Sequence, residues 1–266
     1  MALCNKDIAR VLEGAAPLSL QEGYDNCGWQ VGSPDAECTG VMICVDPVPD
    51  RIAEAVAEGC NLLVSHHPLL FHGLKRITGD TLVQQTVMDA IANGVSVYSL
   101  HTALDNAPDP WGVSLEMARM LSLTDVRPLD ADSGAGAIGE VSLSDMLDLS
   151  GFVAKVKEVF GSPIVRASDP SLAPCSSSQI RRVALCGGSG SSLIDMAIAA
   201  GADVMLTSDI SYHRFVDYAS KIQLVDIGHF ESERCTKSII YRIISQNFPN
   251  FVAKLSQQES NPITYL

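Results

Sequence analysis

Short apolar runs alternate with segments of helical period along most of this chain, and that alternation restricts its fold more than any other feature. Gly40–Val45, Asn61–Ser65, Val95–Leu100, Arg182–Leu185, Asp203–Leu206 and Gln223–Asp226 have the length and apolarity of buried strands. Between them, Pro49–Glu58, Thr81–Asn93, Gly112–Leu121, Asp148–Phe160, Ser192–Ala200 and Tyr212–Ser220 carry helical spacing. Gly94 and Gly201 are placed to end two of these helices. Ala137–Leu143 adds a strand, and a long helix is expected from about Glu231 to Gln246. Strand–helix–strand spacing this short favours right-handed crossovers between parallel strands. The expected fold is α/β: two similar halves with mostly parallel sheets and a smaller α+β insertion between them.

Two composition shifts suggest boundaries. Asp130–Gly136 contains only Asp, Ala, Ser and Gly, and Ser168–Ser178 is rich in Pro and Ser. These divide the chain into a first lobe at 1–125, an intervening segment at 126–179 and a second lobe at 180–266. The 266 residues, 47% of them hydrophobic, suffice for a sizeable core. No run approaches the roughly 18 apolar residues of a membrane span. The opening stretch, MALCNKDIARVLEG, is amphipathic and charged, with no apolar signal-peptide region. The eight cysteines form no CxxC pair, and several lie inside apolar runs, as reduced buried thiols do. A cytoplasmic protein is the expectation.

With 18 Lys+Arg against 31 Asp+Glu, the net charge of -13 opposes binding to a polyanion. Against that acidity stand six histidines in two clusters: His66, His67, His72 and His101, then His213 and His229. Their placement is informative. His66 and His67 follow the strand Asn61–Ser65, and His101 follows Val95–Leu100, with Asp105 four residues on. Asp209 follows Asp203–Leu206, and His229 follows Gln223–Asp226. The carboxyl edge of a parallel sheet is where ligands bind. A lone histidine there is more often structural, but four such placements point to a site.

His229 and Glu233 stand at i and i+4 where a helix begins, so imidazole and carboxylate share one face. The plainer account of Glu231 and Glu233 is that acids favour a helix N-terminus. Adjacent histidines diverge in extended chain, so His66 and His67 suit two ions about 3.5–4 Å apart rather than one. Glu233 could bridge them, with His66 and His229 on one ion and His67 and Asp105 on the other. Two carboxylates against two divalent cations leave the site locally electropositive and suited to an anionic substrate.

Ser65-His66-His67-Pro68-Leu69-Leu70-Phe71, His101-Thr102-Ala103-Leu104-Asp105 and Gly228-His229-Phe230-Glu231-Ser232-Glu233 resemble the Nif-three-like family, also called the GTP cyclohydrolase I type 2 family. Asp25-Asn26 with Gly28 and Gln30-Val31-Gly32, Arg182–Gly190, Thr207-Ser208-Asp209 with Tyr212-His213, and Asn261-Pro262 extend the resemblance almost end to end. It implies a dinuclear metal site built by both lobes, a toroidal homohexamer and a cytoplasmic location. The ligands it implies are His66, His67, Asp105, His229 and Glu233. His101 would be a nearby residue that either supports the ligands or acts as acid/base, with Asp209 the other candidate for managing protons. The implied reaction is ring-opening hydrolysis of GTP at the purine C8. Ala103, Ser208 and Trp29 depart from the family pattern without removing a ligand, and 126–179 is too short for the extra domain of longer members.

The leading expectation is therefore a metal-dependent hydrolase holding two divalent ions (Zn, Fe, Mn or Ni) and acting on a small anionic or nucleotide substrate. A non-catalytic metal-binding scaffold or metal chaperone is the alternative. A ring around nucleic acid would need a basic inner surface, which the charge disfavours. Gly187–Ser192 follows a strand as phosphate-binding turns do, yet lacks both the Walker ending and the G-x-G-x-x-G spacing. A tight structural turn with a serine N-cap is the competing account. His72 and His213 are read as site neighbours or ordinary surface residues, and Lys75-Arg76 and Arg181-Arg182 as solvated pairs.

Overall fold

The computed structural model describes residues 3–172 and 179–266. Cys175 and the end of the Ser168–Ser178 stretch lie outside them. The chain forms two compact units, Met1–Trp111 with Thr236–Ser260, and Gly112–Cys235 with Asn261–Leu266. Both are mixed α/β.

The first unit is built on β1 (Gly28–Val31), β2 (Val41–Cys44), β3 (Leu62–Ser65), β4 (Ser96–Ser99) and β11 (Ala253–Leu255), the last strand of the chain. Their order is β1-β4-β3-β2-β11. All neighbours are parallel except β1, which runs antiparallel to β4. The three central strands are buried at every position, so β2 and β3 are almost wholly apolar, while β4 carries a serine at each end of its apolar pair. Met42, Cys44, Leu63 and Val97 meet Ile52 and Ala55 of α2 (Pro49–Ala57) and Val87 and Ala90 of α3 (Leu82–Ala92). Each such large side chain contributes about 1.5–3 kcal/mol on burial. The Thr81 hydroxyl caps α3 by accepting from the Gln84 amide, and Gly94 in the left-handed region follows its end. α10 (Thr236–Asn247) lies against β2 and β11 and packs on α1 (Asn5–Ala15).

The second unit holds β5 (Thr124–Pro128), β6 (Ala137–Glu140), β7 (Arg166–Ala167), β8 (Arg182–Leu185), β9 (Val204–Thr207) and β10 (Gln223–Asp226), ordered β5-β6-β8-β9-β10-β7. Its centre, β8-β9-β10, is parallel, and its margins are antiparallel. Ile138, Ala184, Met205 and Leu224 pack with Ile194 and Ala197 of α7 (Ile194–Ala199) and Tyr218 of α8 (Tyr212–Tyr218). α5 (Val113–Met120) and α6 (Leu149–Phe160) complete the larger helices, α6 being capped by Asp148 and ended by Gly161.

Three features differ from the sequence reading. The chain divides after Trp111 and after Cys235, not at 125 and 180, because helix α10 and strand β11 join the first sheet while β5 joins the second. The intervening segment is woven into the second sheet: β6 pairs with β8 and β7 with β10. The expected long helix is broken into α9 (His229–Glu233) and α10, with Arg234 and Cys235 between. α9 buries the polar run Glu231, Ser232 and Glu233, whereas α10 buries Ile239, Ile240, Ile243 and Ile244.

Candidate metal centre

In the first unit, His66 and His67 leave the carboxyl end of β3, and the parallel ladder continues past it. The His66 amide donates to Cys44 O at 3.1 Å and the His67 amide to Val45 O at 2.9 Å. His101, at the end of β4, donates its amide to His66 O at 2.8 Å and opens α4 (His101–Asp105). Three imidazoles are thereby gathered, with ring centroids 5.0 Å apart for His66 and His67 and 5.5 Å for each with His101. One turn along α4, a carboxylate oxygen of Asp105 lies 3.8 Å from Nε2 of the fully buried His66. This unit therefore brings four of the expected residues together: His66, His67, His101 and Asp105.

Two further aspartates join them. Asp46, just past β2, places Oδ1 2.7 Å from Nδ1 of His67. Asp25, from the segment before β1, places Oδ1 2.7 Å from Nδ1 of His101. The other Asp25 oxygen accepts from the Thr102 amide at 3.1 Å, from the Thr102 hydroxyl and from Cys27 Sγ. Burial opposes ionisation of Asp25, yet the hydrogen bonds from His101 and Thr102 outweigh it and hold its carboxyl well below the usual range. Burial pushes the neighbouring Cys27 thiol up to about 12, which keeps it a thiol. Sequence reading missed both aspartates as site residues. Asp46 obeys the same strand-end rule that flagged the histidines, and Asp25 was noticed only as part of a motif.

In the second unit, Gly228 follows β10 with φ +90 and turns the chain into α9. Nε2 of His229 lies 2.9 Å from Glu233 Oε2, confirming that the i,i+4 spacing places both on one face. Nδ1 of His229 lies 2.6 Å from Asp209 Oδ2, at the end of β9. The Glu233 hydrogen bond is the main cause that raises the His229 pKa to about 9; burial opposes it and Asp209 adds to it. Asp226, buried at the end of β10, accepts from the amides of Ile210 (2.9 Å) and Gly228 (3.1 Å) and pairs with Arg166. It thereby ties the turns bearing Asp209 and His229 to one strand end.

The Gly187–Ser192 turn serves this half. Gly188 has φ +61, and a Cβ there would fall 2.2 Å from Glu233 Oε1. Its amide donates to Ser232 Oγ at 2.9 Å, and that of Gly190 to Thr207 Oγ1 at 2.8 Å. The Gly187 amide donates to Ser114 Oγ at 3.3 Å. With these amides engaged internally, the turn is a structural wall for Glu233 and not a phosphate cradle. The residue that precedes its 3₁₀ turn, Ser191–Leu193, is Gly190 without a side-chain cap, so the serine N-cap is absent. His72 and His213 are exposed.

Residues 4–262 match the Duf34/NIF3 family, NGG1p interacting factor 3. The chain belongs to this family. Among its Duf34/NIF3 relatives, a "GTP cyclohydrolase 1 type 2 homolog" of Clostridium acetobutylicum is 34% identical over 238 residues, covering 88% of this chain and 86% of its own. A Lactococcus lactis protein of the same name is 32% identical over 253 residues, covering 94% and 95%. The fold is that of a Bacillus cereus protein related to NIF3, with a TM-score of 0.88 at 19% identity and full coverage of both chains. A Staphylococcus aureus protein gives the same TM-score at 24% identity, covering 99% of each chain.

Proposed function

We propose that this Duf34/NIF3 protein is a metal-dependent hydrolase that holds two divalent ions. The observation that carries this reading is the gathering of imidazole and carboxylate donors at the strand ends of both units. The first unit would supply His66 and His67 as ligands and the second Glu233. Asp105 and His229 complete the proposed ligand set. The residues present fit such ions: three imidazoles and two carboxylates suit Zn, Fe, Mn or Ni, and the missing side chain at Gly188 leaves room for Glu233.

When bound, divalent ions in such a set supply Lewis acidity toward an electrophilic carbon or phosphorus. The side chains of this chain do the rest. His101, engaged at Nδ1 by Asp25, is the proton-transfer residue, acting at Nε2. Asp209 is less suited to that task, because its carboxylate is taken up by Nδ1 of His229. The names of the curated relatives favour GTP as substrate and ring-opening at C8, with release of formate, as the reaction. A homohexamer is part of the same reading and is checked by light scattering on the 28.4 kDa chain.

Elemental analysis of purified protein should find two ions per chain, falling to one or none in His67→Ala and Glu233→Ala. Unchanged metal content would refute the centre. Incubation of Zn-, Mn- or Fe-loaded protein with GTP should release formate, and its absence with every metal rejects the cyclohydrolase reading. Retained metal without turnover on any nucleotide or phosphoester is what the scaffold or chaperone alternative requires.

A further inference from the structure

Three histidines of the proposed site share one arrangement that the ligand set does not account for. Nδ1 of His67 lies 2.7 Å from Asp46, Nδ1 of His101 lies 2.7 Å from Asp25, and Nδ1 of His229 lies 2.6 Å from Asp209. In each case the aspartate meets Nδ1, and each pair sits within one unit. Such distances belong to charge-assisted hydrogen bonds.

Sheet register produces the pairs. Cys44 stands opposite Ser65 in parallel β2 and β3, so Asp46 and His67 occupy matching positions two residues beyond the strand ends. Thr207 stands opposite Asp226 in parallel β9 and β10, which brings Asp209 and His229 past the same edge. Gly28 stands opposite Ser99, with Asp25 before the one and His101 beyond the other. Backbone conformation has been bent to the same end. His101 (φ 28) and Asp209 (φ 55) are two of the four non-glycine residues with positive φ among the described residues. Strain of this kind persists only where the surroundings over-determine it.

The chemistry follows from what a carboxylate can do. Ionised aspartate accepts hydrogen bonds and donates none, so the ring nitrogen against it must carry hydrogen. A neutral imidazole so held has its lone pair on Nε2. We propose that Asp25, Asp46 and Asp209 are positioning residues that hold Nδ1 of His101, His67 and His229, keeping the ring proton of neutral His101 and His67 there and leaving Nε2 as the working nitrogen; Nε2 of His229 also faces Glu233, so its proton is confined to Nδ1 only when an ion takes Nε2. For His67 and His229 that nitrogen serves as the proposed metal donor, and for His101 it exchanges the substrate's proton. The roles given to Nε2 rest on the hydrolase reading above; the location of the His67 and His101 protons does not.

Magic-angle-spinning NMR of the full chain labelled with 15N-histidine reads the proton positions directly. In metal-free protein in alkaline buffer, where the rings are neutral, the signals of His67 and His101 should show hydrogen on Nδ1, and that of His229 should do so once zinc is bound. D46N and D25N should each move only its partner's proton toward Nε2. Chelator competition should show zinc affinity about 10–100-fold weaker in D46N and D209N, whereas D25N, whose partner is no proposed ligand, should keep its zinc. The wild-type spectrum needs no variant to fold: Nε2–H forms of His67 or His101 overturn the inference, as do D46N and D25N variants whose ring signals do not move. Nδ1 protons in place with no turnover on GTP would support the pairs and count against the hydrolase reading alone.

Discussion

Replacing Gly188 by alanine tests how the second unit seats its carboxylate. Two effects must be separated. Gly188 has φ +61, and an L-residue there costs about 1–2 kcal/mol. At about 2–4 °C per kcal/mol for a protein of this size, strain alone lowers Tm by about 2–8 °C. The second effect is local. The new Cβ would stand 2.2 Å from Glu233 Oε1, while real Cβ atoms essentially never come nearer than 3.0 Å, so the carboxylate has to retreat. Metal sites hold ligand distances to about 0.2 Å, so a retreat on that scale removes Glu233 as a donor. Gly201→Ala is the control. It has φ +71, but its Cβ meets only the flexible tip of Arg182 at 3.3 Å. Both variants should lose similar Tm in scanning calorimetry of metal-free protein. Only Gly188→Ala should lose metal in chelator competition, by at least about 10-fold, the lower bound seen when even an outer partner of a ligand is removed. Equal metal affinity in the two variants would refute the reasoning that Gly188 makes room for a liganding Glu233.

Other outcomes follow from the same contacts. His229 has its pKa raised from 6.5 to about 9 in the folded, metal-free chain, so its contribution to stability is complete below pH 6.5 and is lost as pH rises toward 9; urea midpoints should fall across that window in wild type and stay flatter in His229→Asn. Zinc has to displace the same proton, so proton release on zinc binding, read with a weakly buffered indicator, should be larger at neutral pH than above 9. Asp226→Ala leaves the amides of Ile210 and Gly228 without their acceptor, at about 1–3 kcal/mol each, and should lower both stability and metal affinity. Leu63→Ala, at a fully buried position in the centre of the first sheet, should cost about 2–5 kcal/mol by denaturant titration while leaving metal stoichiometry intact.

Central elements were legible because burial leaves a plain mark on sequence. β2, β3, β4, β8, β9 and β10 are apolar runs between helices, and their reading agrees with the structure to within a residue or two at each end. The marginal strands β1, β5, β7 and β11 were not anticipated. They are two to five residues long and only partly buried or exposed, so neither length nor hydrophobic pattern distinguishes them from loop. The break between Glu233 and Thr236 was equally hidden, since Arg234 and Cys235 include no proline or glycine to announce it.

At the site, the histidines and Glu233 were visible because imidazole is rare in this chain and the i,i+4 spacing is a local geometric rule. Sequence alone thus decided the α/β class, the strand ends where polar residues gather and the donor chemistry available there. Tertiary structure decided which aspartate meets which ring. Asp25 is 76 residues from His101, Asp46 is 21 from His67, and Asp209 is 20 from His229. Such pairs are made by strand order and register, and these depend on how whole sheets bury their faces, which no local pattern records.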